Sequence, residues 1–220
     1  LDNEYLRRSH KLIRVRKFFR TNEVLVLMEM VDGHTLEQYK PVDFIEVCNI
    51  CAKVATGLEV MHNAGYVHAD IKPNNILVAD HLKVKLIDFG QSCPDGTIKE
   101  RIQGTPDYIA PEQVRRKKIT PRTDVFNLGA TMYWLLTRKH VPTLIPKPGQ
   151  EIGKRKTQPD RGPPPHELNP KVPPALSTLV MNCVENRPED RPADMAAVIR
   201  RLELAVHQLE EGSEKAPPAT

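Results

Sequence analysis

Apolar and polar positions change period along this chain, and the changes predict its elements. Residues 1–9 read as the end of a helix. The chain opens on Leu1 as though already inside it, which leads us to expect a longer sequence upstream. Residues 13–19 and 24–30 read as two strands joined by Arg20-Thr21-Asn22-Glu23. Val24-Leu25-Val26-Leu27-Met28 is a continuous apolar run, the pattern of a strand covered on both faces, and Asp32-Gly33 breaks it. Phe44, Val47, Cys48, Cys51, Val54, Leu58 and Met61 recur at helical spacing, inside a helix predicted over about 41–64 and stopped by Asn63-Ala64-Gly65. Ile76-Leu77-Val78 and Lys83-Val84-Lys85-Leu86-Ile87 predict two short strands around a turn at Asp80-His81. The second alternates charged and apolar residues, so one of its faces is expected to be wet. Residues 91–103 are polar and glycine-containing, as in a mobile loop. A strongly apolar helix is predicted over about 122–137, through Val125, Leu128, Met132, Leu135 and Leu136. Ten prolines then fall between 142 and 174, Pro163-Pro164-Pro165 among them, which excludes a long helix there. That stretch reads as an irregular surface segment, or alternatively as a polyproline ligand for a partner. Helices near 173–186 and 193–210 follow, and the small, polar tail from Gly212 is expected to be disordered or a linker.

With 220 residues, the chain is long enough for one good core or two small lobes sharing one. The formal charge of +4 is too mild to point to nucleic acid, which calls for a concentrated basic stripe. Arg115-Arg116-Lys117-Lys118 is the densest run, read as a solvated basic turn or a patch for acidic substrates. The longest apolar run, 128–136, is too short to span a membrane. Cys48-x-x-Cys51 lies on the apolar helical stripe with no second pair to complete a metal site, so all four cysteines are expected to be free thiols of a cytoplasmic protein.

The chemistry concentrates in three stretches: His68-Ala69-Asp70-Ile71-Lys72-Pro73-Asn74-Asn75; Asp88-Phe89-Gly90, thirteen positions after Asn75; and Gly104-Thr105-Pro106-Asp107-Tyr108-Ile109-Ala110-Pro111-Glu112. In this order they resemble the catalytic loop, metal-binding turn and substrate-side loop of a protein kinase. The resemblance covers roughly residues 4–207 and implies an α+β, protein-kinase-like two-lobed fold. It divides into a partial N-lobe and hinge at 1–31, a mostly helical C-lobe at 32–210 and a tail at 211–220. It implies ATP and Mg2+ as cofactors and a protein substrate. By position, Asp70 would orient the substrate hydroxyl and accept its proton, Lys72 would neutralise the moving phosphoryl, and Asn75 and Asp88 would hold metal. Lys72-Pro73 and Thr105 resemble the serine/threonine branch, where that threonine contacts the catalytic aspartate and lysine. Met28 would be the gatekeeper, the backbone of Glu29 and Val31 would bond adenine, and Leu77 would floor the base pocket. Glu112 would pair with Arg191, Asp124 would hold the catalytic-loop backbone, and His68 and Phe89 would stack in the spine joining the lobes.

Two departures bear on function. Ala69 stands where relatives commonly carry an arginine that receives an activation-loop phosphate, so activity is expected not to depend on phosphorylation of Ser92, Thr97 or Thr105. No G-x-G-x-x-G stretch and no V-A-I-K-like lysine occurs in these 220 residues. Both would belong before residue 1, with Glu4 as a weakly matching partner for that lysine. The expected function is serine/threonine kinase, this chain being a fragment of the enzyme. The alternative is a pseudokinase or docking module; a small-molecule kinase is disfavoured by the stretch from Gly104 to Glu112. Val24–Met28 would then present an apolar edge and lower the solubility of the isolated chain.

Overall fold

In the computed structural model, which describes residues 3–17, 20–145 and 161–214, the amino-terminal stretch is not the helix expected of residues 1–9. Asn3 Oδ1 accepts the Tyr5 amide at 2.7 Å, a local side-chain bond that competes with helix formation. Leu6 is buried and bridges in parallel to Leu86, with Leu86 N donating to Tyr5 O and Arg7 N to Leu86 O. Glu4 lies exposed in the turn.

The chain then forms an antiparallel ribbon, β1 (Ser9–Lys17) and β2 (Arg20–Met28). Arg20–Glu23, expected as the connection, belong to β2. The continuous apolar run of β2 is not covered: Leu25, Val26 and Leu27 are 53%, 47% and 58% exposed. Successive residues of a strand face opposite ways, so both faces of the ribbon present apolar side chains to solvent. No further strand among the described residues pairs with it.

A second sheet has the order β3 (His34–Thr35), β5 (Ile76–Ala79), β6 (Lys83–Leu86). The wet face expected of β6 is absent at Lys85, which is 3% exposed. Segment 3–8 and the end of β2 cover it, and its Nζ donates to Leu6 O at 3.2 Å and Glu29 Oε2 at 2.9 Å. A third, minimal sheet pairs β4 (Tyr66–Val67) with β7 (Cys93–Pro94), so part of the expected loop 91–103 is strand.

The core belongs to the helices. α1 (Phe44–Asn63) starts where Asp43 caps the Glu46 amide and ends before Gly65, whose φ of 80° suits glycine. It buries the predicted stripe, both cysteines included, against α6 (Met195–Glu214) and α3 (Pro121–Thr137). α6 runs past 210, so Gly212–Glu214 are helical and not tail. α2 (Pro111–Val114) and α4 (Pro165–Leu168) are single turns, while α5 (Pro174–Cys183) crosses α3 closely. There, a Cβ on Gly129 would stand 2.5 Å from Cys183 Cβ, which only glycine avoids. Within the polyproline run, Pro165 is buried and Pro163 O accepts the Tyr133 hydroxyl; residues 146–160 of the proline-rich stretch lie outside the described residues. The four cysteines are free and buried, and burial pushes the Cys48 thiol up to about 12. Among the described residues, no helix is long and apolar enough to cross a membrane.

Candidate active site

The loop between β4 and β5 carries Asp70, and four groups converge on its carboxylate. Oδ1 accepts the Thr105 amide and hydroxyl, each at 3.0 Å. Oδ2 lies 3.0 Å from Lys72 Nζ and 3.3 Å from Asn75 Nδ2. Lys72 Nζ also donates to Thr105 Oγ1 at 2.7 Å, which closes a triangle of Asp70, Lys72 and Thr105. Thr105 belongs to the substrate-side stretch, 35 positions away, so the triangle ties two of the three motifs.

The third motif is joined through the β5–β6 hairpin. Ile76 pairs with Leu86, and Ile87 N donates to Asn75 O at 3.0 Å, which carries Asp88 to the neighbourhood of Asn75. Asn75 Nδ2 spends its protons on Asp70 O (2.8 Å) and Asp70 Oδ2. Both partners are acceptors, so the amide orientation is set and its oxygen is the atom available to a cation. Asp88 has left-handed backbone (φ 61°) and an exposed carboxylate whose Oδ1 accepts Gly90 N at 3.2 Å. One carboxylate and one amide oxygen suit a hard divalent ion that completes its shell with phosphate and water. They do not make an all-protein cage, and no cluster of three acidic, His or Cys ligands occurs among the described residues.

Buried supports hold this loop from behind. Asp124, on α3, accepts His68 N on Oδ2 and Ala69 N on Oδ1, both at 2.8 Å, as expected of it. His68 is fully buried, its ring 5.4 Å from that of Phe89, with Nε2 3.3 Å from Ile87 O. Burial holds its pKa below the ordinary histidine value. Glu112 and Arg191 form the expected pair, bidentate at 2.7 and 2.8 Å and almost wholly buried, with Thr123 Oγ1 donating to Glu112 as well. Ala69 packs with Val67, Cys93 and Ile119 in a small apolar cluster, and its methyl side chain carries no charge for a phosphate.

The residues assigned to the nucleotide base are less gathered. Met28, Glu29, Val31 and Leu77 are each half-buried. Both main-chain groups of Glu29 are engaged: its N–H donates to Arg8 O and its C=O accepts Arg7 Nε, each at 2.8 Å. A carbonyl has a second lone pair, so contact with adenine stays open. Glu29's side chain accepts from Lys85, a hydrogen bond that holds its carboxyl below the usual carboxylate range.

Sequence reasoning missed three supports: His62, whose Nε2 stands 2.8 Å from Asp124 Oδ2; Gln113, which bonds Ala69 O; and the pair of buried Lys85 with half-buried Glu29. Long-range partners leave no signal in local period or spacing. Only the Glu112–Gln113 placement beside the substrate loop hinted at the second.

This geometry agrees with what comparison finds: a family profile described as the protein kinase domain matches residues 4–202, and the chain belongs to the protein kinase family. It is similar to a probable serine/threonine-protein kinase of Clostridium acetobutylicum (33% identity; 80% of this chain, 28% of that one). It is similar also to serine/threonine-protein kinase PknL of Mycobacterium tuberculosis (34%; 84% and 47%) and serine/threonine-protein kinase A of Synechocystis (28%; 96% and 43%). The chain thus spans less than half the length of these relatives. Membership of the family implies, in general, ATP, a divalent metal and a protein substrate.

Proposed function

We propose that these residues perform the phosphoryl-transfer step of a cytoplasmic serine/threonine kinase, moving the γ-phosphoryl group of ATP to a protein hydroxyl with Mg2+ as the metal. The observation that carries the reading is the closed set of bonds among Asp70, Lys72, Thr105 and Asn75. The Asp70 carboxylate is oriented from both oxygens, ready to align a substrate hydroxyl and take its proton as the oxygen–phosphorus bond forms and the bond to ADP breaks. Lys72 Nζ, beside it, is placed to neutralise charge on the moving group. Asn75 Oδ1 and the Asp88 carboxylate would hold the metal, which would draw charge off the phosphates. The base would lie against Met28 and Leu77, with the main chain of Glu29 and Val31 at its edge.

The non-catalytic docking module stands as a second reading because no G-x-G-x-x-G phosphate loop and no V-A-I-K-like lysine occurs in these 220 residues. Phosphotransfer by a form that includes the coding sequence upstream of Leu1 separates the two. Asp70→Asn and Asp88→Ala should each lower kcat by about a hundred-fold or more while the protein stays folded. Turnover unchanged in both variants, or absent from the longer parent form, sinks the enzyme reading. Phosphatase treatment should leave the rate unchanged, since Ala69 supplies no guanidinium to an activation-loop phosphate.

A further inference from the structure

Ala69, immediately before Asp70, has φ 64° although it is not glycine, a conformation that persists only where its surroundings enforce it. Both of its main-chain groups are held by side chains. The N–H goes to Asp124; the C=O accepts Gln113 Nε2 at 2.8 Å. Gln113 is 4% exposed and sits on α2, one position past Glu112. Its amide faces two ways. Nε2 points at two carbonyl oxygens, Ala69 O and, at 3.5 Å, Gln103 O. Oε1 accepts Ala110 N at 2.9 Å and Asn127 Nδ2 at 3.2 Å. Asn127 Nδ2 in turn donates to Tyr108 O at 2.7 Å. Acceptors on one side and donors on the other allow a single orientation of the amide.

We infer that Gln113 is a positioning residue for the transfer step: its neutral amide holds the peptide before Asp70 in register with the 103–110 stretch that receives the substrate. The role rests on the kinase reading above. Gln113 acts through Ala69 and Tyr108 and touches no reacting atom. An uncharged latch of this kind sets the substrate loop without a phosphate.

Two variants test it. Gln113→Leu keeps bulk and removes both donors and acceptor. Gln113→Glu is isosteric but sets an anionic oxygen against two carbonyls. In the longer, active form each should lower kcat about a hundred-fold while KM for ATP stays within about twofold, since uniform binding is untouched. In Gln113→Glu, turnover should recover as pH is lowered from about 8 to about 6, because burial raises a carboxyl pKa and the protonated acid donates again to Ala69 O. Hydrogen–deuterium exchange needs no activity: in Gln113→Leu, amides 68–70 and 103–110 should open together while α6 stays protected. Wild-type turnover in Gln113→Leu, losses that only follow the folded fraction, or exchange that rises evenly along the chain would overturn the inference. A parent form without phosphotransfer would refute the kinase reading, and exchange would still decide the latch.

Discussion

The helical body and the β1–β2 ribbon each carry a continuous apolar run, and the two runs end differently. Leu128 and Leu27 both lie in apolar runs. Leu128 is fully buried where α3 meets its neighbours, while Leu27 is 58% exposed. The body closes on itself: α1, α3, α5 and α6 share one core, and every side chain proposed for phosphoryl transfer hangs from it or from the loops it clamps. The segments that flank the ribbon tie it to the body: Leu6 bridges to Leu86, and Glu29 pairs with Lys85. Of the residues assigned to adenine, Met28, Glu29 and Val31 lie at or just after the end of β2, while Leu77 is on β5. Apolarity therefore says that a segment seeks cover; it does not say that the cover is supplied by the neighbouring chain. The two halves of the proposed chemistry accordingly rest on supports of unequal strength.

The sharpest way to break this contrast is through the buried charge in the body. Arg191→Met leaves the Glu112 carboxylate buried with Thr123 as its remaining side-chain partner, and should cost about 3–5 kcal/mol in urea unfolding. A loss below about 1 kcal/mol would mean that the pair is solvated and the body looser than drawn. Leu128→Ala comes next, at about 2–5 kcal/mol from lost burial and the cavity left behind. In the ribbon, Leu27→Lys should cost less than about 0.5 kcal/mol and reduce self-association at high concentration, read by sedimentation. A cost like that of Leu128→Ala would show Leu27 covered in solution and erase the distinction.

These differences decide how much was legible beforehand. The catalytic loop was, because Asp70, Lys72 and Asn75 lie within six positions and their spacing carries the motif; Thr105, which closes the triangle from 35 positions away, was legible only through the resemblance. The four long helices were, because period survives in one dimension. What escaped depends on partners far along the chain. The helix expected at residues 1–9 is overridden by the Asn3 turn and pairing of Leu6 with Leu86, 80 positions away. Lys85 alternates like a wet strand position, yet a carboxylate 56 residues upstream lets it be buried. Gln113 has only the local bond to Ala110 N as a signature; its other partners, Ala69, Gln103 and Asn127, lie 10 to 44 positions away.

A further small effect concerns the clamp between ribbon and body. The bond from Lys85 lowers the pKa of Glu29, so in the folded state the carboxylate stays ionised to lower pH than in the unfolded chain. Between the two pKa values the unfolded state binds more protons, and stability rises with pH there. The contribution of the pair is therefore complete above the ordinary carboxylate range of about 4 and is lost as pH falls through the lowered value. Lys85→Met removes the pair and keeps a long apolar stem in its place. Whatever methionine changes in packing is independent of pH, so the pH-dependent part of the difference from the parent isolates the ion pair. That part should be less than about 1 kcal/mol, because Glu29 keeps some contact with solvent. It should be constant from about pH 8 to about pH 5 and vanish on further acidification. A difference that stays level down to about pH 3, where the carboxyl is protonated in the unfolded chain, would show that Lys85 and Glu29 do not meet in solution and that the link to the body rests on the pairing of residues 5–7 with Leu86.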